Sequence, residues 1–219
     1  MSFRKCPFAA ALVFILLGSF GASAAQPGTS TNAQAEATYT KTIEKRAADV
    51  LTTLGLKEGP NRQKVHDILI AQYRAIRDWH NANDAALKAA TGEQAQQIRA
   101  SLKKLHDRFI ADLSSVLSAE DIDKVKDKMT YNKVKVTFDF YCHNLPNLTE
   151  AQKEKVLGFL KQAREEAMDA GSSDEKSKIF RQYKGRINNY LAKEGYDSKQ
   201  ADKESEKPKS TGGSEAAKP

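Results

Sequence analysis

The chain has 219 residues, with 35 Lys and Arg against 28 Asp and Glu, a formal charge of +7, 40% hydrophobic residues and 8% aromatic ones. It is long enough to bury a core without staples, and its mild basic excess lies largely on helix faces where Lys alternates with Glu and Asp. That pattern excludes a nucleic-acid reader, which shows a basic stripe with interleaved aromatics.

The N-terminus carries Arg4 and Lys5, an apolar run from Phe8 to Phe20, and then Ala22-Ser23-Ala24. A positive start, a short apolar stretch and small residues predict a secretory signal over 1–24, cleaved near Ala24. A spanning helix needs about 20 apolar residues, and neither this run nor any later one reaches that. No membrane span is expected, and the localisation is expected to be periplasmic or secreted. Loss of Arg4 and Lys5 lowers the formal charge from +7 to about +5. Cys6 leaves with the signal and is placed too early in it for lipoprotein acylation, so Cys142 remains alone and no intramolecular disulfide is expected.

Residues 25–38 are mostly Gln, Pro, Gly, Thr, Ser, Asn and Ala and predict a disordered leader. Residues 198–219, polar and charged with Pro and Gly, predict a disordered tail, leaving a helical domain over 39–197. Within it Ile43, Ala47, Val50, Leu51 and Leu54 form a first helical stripe. Val65, Leu69, Tyr73, Ile76 and Trp79 or His80 form a second. Ile98, Leu102, Leu105, Phe109, Leu113 and Val116 form a third. Ser118 with Asp121 caps a short helix carrying Ile122, Val125 and Met129. Between Tyr131 and Leu145 the residues Val134, Val136, Phe138 and Phe140 alternate as in a strand, whereas Val134, Phe138, Tyr141, Cys142 and Leu145 fit a helical face. A lone strand has no partner, so an extended lead-in through Val136 and a helix over 137–144 are expected.

The segment from Leu145 to Asp197 is the most regular. Thr149 and Gln152 form a capping box ahead of Val156, Phe159, Leu160, Ala163, Ala167 and Met168, with Gly171 expected to end the helix. Ser172 with Glu175 opens the next, whose stripe is Phe180, Tyr183, Ile187, Tyr190 and Leu191, closed by Gly195. Two helices across a Gly-Ser turn predict an αα-hairpin.

The runs LTEAQKEKVLGFLKQAREEAMDAGSS and EKSKIFRQYKGRINNYLAKEGYD, with DKMTYNKV upstream, resemble the DUF3826 family of uncharacterised exported bacterial proteins. The resemblance covers about 116–197, with AREEAMDAG and YKGRINNYL its most specific parts. It implies a helical periplasmic or secreted protein of bacteria that degrade complex glycans, with a His where this chain has Ser177, and it implies no activity. LTEAQ ahead of an amphipathic helix is also similar to the Spy-like periplasmic chaperones.

On the last helix Arg181, Lys184 and Asn188 lie on one flank of the apolar stripe, and Gln182, Arg186 and Asn189 on the other. Two successive Asn beside Gly185 cost helix propensity. They read either as donors to sugar hydroxyls or carboxylates, or as bonds to neighbouring helices. On the preceding helix Arg164, Glu165, Glu166 and Asp169 cluster. Paired carboxylates do acid-base work on glycosides when they face each other across a cleft about 5–10 Å wide, and otherwise form ion pairs. Arg164, Glu165, Asp169, Lys184, Arg186, Asn188 and Asn189 are therefore the candidate ligand-binding residues, with no catalytic residue assigned.

Cys142 falls on an apolar face and reads as a buried, inert thiol. His66, His80, His106 and His143 lack metal-ligand spacing, so no metal is expected, and no motif for a cofactor is present. Trp79 and His80 with Asn81 and Asn83 read as a sugar-stacking rim or, more simply, as the edge of the core. The expectation is an all-α irregular bundle of about six helices ending in the αα-hairpin. Its function is expected to be non-catalytic binding or accessory work in glycan utilisation, with an oligosaccharide as partner. The alternatives are a carbohydrate-active enzyme using carboxylates of 164–169 and a Spy-like chaperone.

Overall fold

The computed structural model describes residues 27–196, with side chains from Asn32 onward, so the expected signal and tail lie outside the described residues. Those residues form seven α-helices and no strand, where about six helices were expected. They are α1 (Pro27–Leu54), α2 (Pro60–Ala89), α3 (Gly92–Ser114), α4 (Ala119–Met129), α5 (Lys133–Asn144), α6 (Glu150–Met168) and α7 (Ser173–Lys193). The protein is all-α.

Contacts divide the chain at Thr38, with the compact unit that carries the site beginning at Tyr39. The segment before that, expected as a disordered leader, is helical from Pro27, with Asn32 to Thr38 exposed. Helix needs only one new bond per added residue once nucleated, and Ala33, Ala35, Glu36 and Ala37 are good helix formers.

Two hydrophobic clusters organise the unit from Tyr39 onward. The first joins Ile43, Ala47, Val50 and Leu51 of α1 to Val65, Leu69 and Tyr73 of α2, Phe109 and Leu113 of α3, Ile122, Val125 and Met129 of α4, and Met168 of α6. The second joins Val134 and Tyr141 of α5, Val156, Leu160, Ala163 and Ala167 of α6, and Phe180, Tyr183, Ile187 and Leu191 of α7. Helix α6 contributes to both. It packs along α7 and also against α5 and α4, while α2 packs on α3.

Most of the expected stripes are the buried faces. The third is thinner: Phe109 and Leu113 are buried, whereas Ile98, Leu102, Leu105 and Val116 are half-buried. The expected caps form, with Thr149 and Gln152 making the reciprocal box and Ser118 accepting from the Asp121 backbone N–H.

Three local expectations are corrected. Helix α5 starts at Lys133 and not after an extended lead-in through Val136. The chain turns earlier, at Tyr131 (φ 61°) and Asn132 (φ 54°), and Val136 is left 64% exposed while Val134 and Tyr141, seven residues apart, are buried on one helical face. Cys142 is half-buried, because Val134, Tyr141 and Leu145 take the core-facing direction. Helix α6 ends at Met168, before Gly171.

Candidate functional site: a cationic cleft beside the α6–α7 turn

The turn after Met168 is shaped by what crosses it. Asp169 ends α6 at φ −90° and ψ 0°, Ala170 is buried, and Ser172 is extended as the N-cap of α7, accepting from the Glu175 backbone N–H at 3.1 Å. The Glu175 carboxylate accepts from the Gly171 N–H at 2.9 Å. A side chain at Gly171 would put its Cβ 2.9 Å from a ring carbon of His80, so glycine is required by the approach of that ring. The imidazole stands there because His80 Nε2–H donates to the Asp169 carbonyl at 2.8 Å while Nδ1–H donates to the Asp84 carboxylate at 2.8 Å.

His106 of α3 reaches the same residue from the other side. Its Nδ1–H donates to the Asp169 carboxylate at 3.0 Å, and its Nε2 lies 3.6 Å from Glu165, which also takes the Lys126 ammonium at 2.8 Å. His66 of α2 sits in the same way between Glu44 at 2.8 Å and Asp67 at 3.1 Å. A ring with acceptors at both nitrogens is stabilised as the imidazolium.

The hydrogen bond to Asp169 raises the His106 pKa above the usual 6.5, and the bond to Glu44 does the same for His66. Burial pushes His80 down, but its bonds to the Asp169 carbonyl and to Asp84 outweigh burial, and its pKa also rises. A raised folded pKa stabilises the fold fully below the unfolded value, and that stability is lost as pH rises through the folded one. Unfolding free energy is therefore expected to fall as pH rises above about 6.5, and His106→Gln should flatten the decline. Denaturant titrations between pH 5.5 and 8 check this. An unchanged slope in the variant would remove His106 as a source.

On the other side of the turn lies Lys176, one helical turn into α7 and only 5% exposed. Its Nζ donates to the Met168 carbonyl at 3.2 Å, which satisfies one of the open acceptors at the end of α6. Burial first, and the neighbouring Arg46 charge second, pull its pKa from 10.5 down to about 8, with Asp169 opposing weakly. Between about 8 and 10.5 the unfolded chain holds this proton and the folded one does not, so stability should recover over that range.

Lys176, Arg46 and Tyr73 line two cavities in common. One, of about 280 Å³, is completed by Tyr39, Thr42, Ile76, Arg77 and the turn from Ala170 to Ser173. The other, of about 200 Å³, adds Asp49, Lys128, Met129, Tyr131 and Asn132. Arg46 lies 5.9 Å from the centre of the Tyr73 ring and Arg77 4.2 Å from that of Tyr39, and Tyr39 Oη donates to the Tyr73 carbonyl at 2.7 Å. Burial raises the Tyr73 phenol to about 12, so it stays protonated. Asp169 acts on Lys176 only through space, and Asp49 is the one carboxylate lining the second cavity. Two adjacent cations facing open volume make an environment suited to an anion. Tyr131 and Asn132, both left-handed, sit on its rim.

The structure divides the sequence-predicted residues into separate places. Arg164 is buried, and its guanidinium donates to Asp127 at 2.8 Å, Asp123 at 2.7 Å and Glu165. Glu165 and Asp169 meet through His106, and Glu165 also takes the Lys126 ammonium. Glu166 accepts from the Tyr183 hydroxyl. On α7, Asn188 accepts from Tyr141 at 2.6 Å and the Lys184 ammonium lies 5.2 Å from the Phe140 ring, so both join α7 to α5. Arg186 is exposed and stacked at 4.2 Å on the Tyr183 ring, and Asn189 is exposed. Trp79 is buried and donates from Nε1 to Ser101 at 2.7 Å, which makes it core and not rim.

Sequence reasoning missed Lys176 and Arg46, and it weighed His80 and His106 only as core edge, sugar-stacking rim or metal ligands. Lys176 lies four residues before Phe180, on the line of the buried α7 stripe, and that spacing was a usable signal. Nothing local connects His80 or His106 to Asp169, which lies 89 and 63 residues away. Among the described residues no group of three or more His, Cys, Asp or Glu is arranged to hold a metal. No described helix is long and apolar enough to cross a membrane.

These features define an all-α protein with a buried lysine and an arginine turned towards a small cleft. The chain belongs to the DUF3826 family, described as a protein of unknown function, whose family model matches residues 40–210. No curated protein matches it.

Proposed function

We propose that the protein is an exported, non-catalytic binding or accessory protein in glycan utilisation, and that its ligand is a small carboxylated sugar held in the Arg46–Lys176 cleft. The observation that carries this reading is the adjacency of two cations, Arg46 and Lys176, on the wall of a cavity of about 280 Å³, where the Arg46 charge outweighs the carboxylate of Asp169 in its effect on Lys176. A guanidinium takes a carboxylate through two parallel N–H bonds, and buried charge-assisted bonds are roughly twice as strong as neutral ones. The hydroxyls of Ser172 and Ser173 and the rings of Tyr39 and Tyr73 line the same volume, chemistry suited to sugar hydroxyls and ring faces.

Thermal unfolding with D-galacturonate, against D-galactose as the neutral control, tests it. At about one hundred times its dissociation constant the acid should add roughly 2.7 kcal/mol and raise the midpoint by several degrees. Arg46→Met is expected to weaken binding about 10–100-fold, while Arg186→Ala and Asn189→Ala on the exposed face of α7 leave it unchanged. Equal shifts with both sugars, or full binding by Arg46→Met, would overturn the cleft as the site.

The enzyme reading has less support, since Glu165, Glu166 and Asp169 are each engaged by a cation or a hydroxyl. A chaperone reading is favoured by one observation. Ile68, Ala71, Ala75, Leu105 and Phe109 line an apolar groove of about 680 Å³ between α2 and α3, where the buried Gln72 Nε2 lacks a hydrogen-bond partner. Suppression of client aggregation that persists with D-galacturonate present would favour it.

A further inference from the structure

Lys176 has an unusual set of neighbours for a buried amine. Its Nζ has the Met168 carbonyl as its hydrogen-bond acceptor; Arg46 lines both of its cavities, Arg77 one of them and Asp49 and Lys128 the other, and Asp169 is the carboxylate that opposes Arg46 in its effect on the amine. Desolvation and a neighbouring cation both favour the neutral amine, the combination that makes a lysine nucleophilic near neutral pH. As a neutral amine, Lys176 donates one N–H to Met168 and keeps its lone pair for another direction. The cavities on either side of it give a small molecule room to approach.

We propose that Lys176 forms a reversible imine with the aldehyde or ketone of a small carboxylate bound in this cleft, with Arg46 taking the carboxylate. This rests on the reading that the cleft binds anions. The Nζ lone pair attacks the carbonyl carbon and forms the C–N bond, while the C=O π electrons move to oxygen, which takes up one of the two protons of the nitrogen. The carbinolamine then loses its hydroxyl as water, with a proton returned from nitrogen, to leave C=N. No electrons are exchanged with any other species, and addition of water reverses the sequence. The pKa of about 8 gives Lys176 a substantial neutral fraction near pH 7.5, where a surface lysine has almost none.

The test treats the full chain with pyruvate, 2-oxoglutarate or D-galacturonate and sodium cyanoborohydride, which fixes an imine as a secondary amine. Intact mass and peptide mapping then locate the adduct. Lactate, 2-hydroxyglutarate and the methyl glycoside of D-galacturonate keep the carboxylate but offer no free carbonyl, and their thermal shifts report anion binding alone. With at least one carbonyl probe, Lys176 should be labelled at least tenfold faster than any other lysine, with a rate that climbs between about pH 7 and 9. Arg46→Met should cut that rate at least tenfold, and Lys176→Arg should abolish the adduct. If Lys176→Arg fails to fold, peptide mapping of the parent chain and the Arg46→Met rate still decide. Binding of the carbonyl-free acids without an adduct at Lys176 would overturn the imine and leave the anion site standing. No adduct and no shift with any probe would overturn both, and labelling spread evenly over the lysines would overturn the imine.

Discussion

Arg164→Ala is expected to destabilise the protein by about 3 kcal/mol, lowering the thermal midpoint by roughly 6–12 °C for a domain of this size. The guanidinium side chain is 5% exposed and holds Asp123, Asp127 and Glu165, which are themselves 51%, 37% and 36% exposed. Removing the cation leaves three carboxylates near one another, but their exposure lets water return. That places the loss at the low end of the about 3–5 kcal/mol for breaking a buried pair. Arg164→Lys should recover only part of it, since an ammonium cannot fork between Asp123 and Asp127. A double-mutant cycle with Asp127→Asn checks the assignment, and a coupling energy near zero would show that Arg164 acts through packing alone.

The second large effect lies in the other cluster. Ile187 is fully buried among Leu160, Ala163, Tyr183 and Leu191. Ile187→Ala should cost about 3–4 kcal/mol, the lost transfer energy of the side chain plus a cavity that α6 and α7 cannot close without parting. Urea unfolding should show a lower midpoint with an unchanged slope. A loss below about 1 kcal/mol would mean that the α6–α7 contact is plastic.

The fold was legible because its signals are local. Capping residues, glycines at Gly55 and Gly195 with positive φ, and apolar spacings of three and four fix helix positions over a few residues at a time. The alternation through Val134 and Phe138 misled because it satisfies both periods, and the turn at Tyr131 and Asn132 decides between them in a conformation that non-glycine residues seldom adopt. The candidate site was far less legible. Arg164 lies four residues after Leu160 and four before Met168, on the buried line of α6, yet its charge reads as a ligand contact or as an ion pair. Lys176 posed the same difficulty on α7. Reading either as buried requires knowing what long-range partner surrounds the charge, and Asp123 and Asp127 come from α4 while Arg46 comes from α1. Of the α7 amides, Asn188 matches the reading as a bond to a neighbouring helix, accepting from Tyr141 of α5.

Helix α6 gives Met168 to one cluster and Leu160, Ala163 and Ala167 to the other, so neither half has a complete interior without it. Amide protons in its middle should therefore exchange with solvent only when the whole domain opens, while those at the open ends of α2 and α3 exchange through smaller local fluctuations. A cut after Asn144 would part Met168 from the first interior and Val134 and Tyr141 from the second, so neither fragment would keep a complete one.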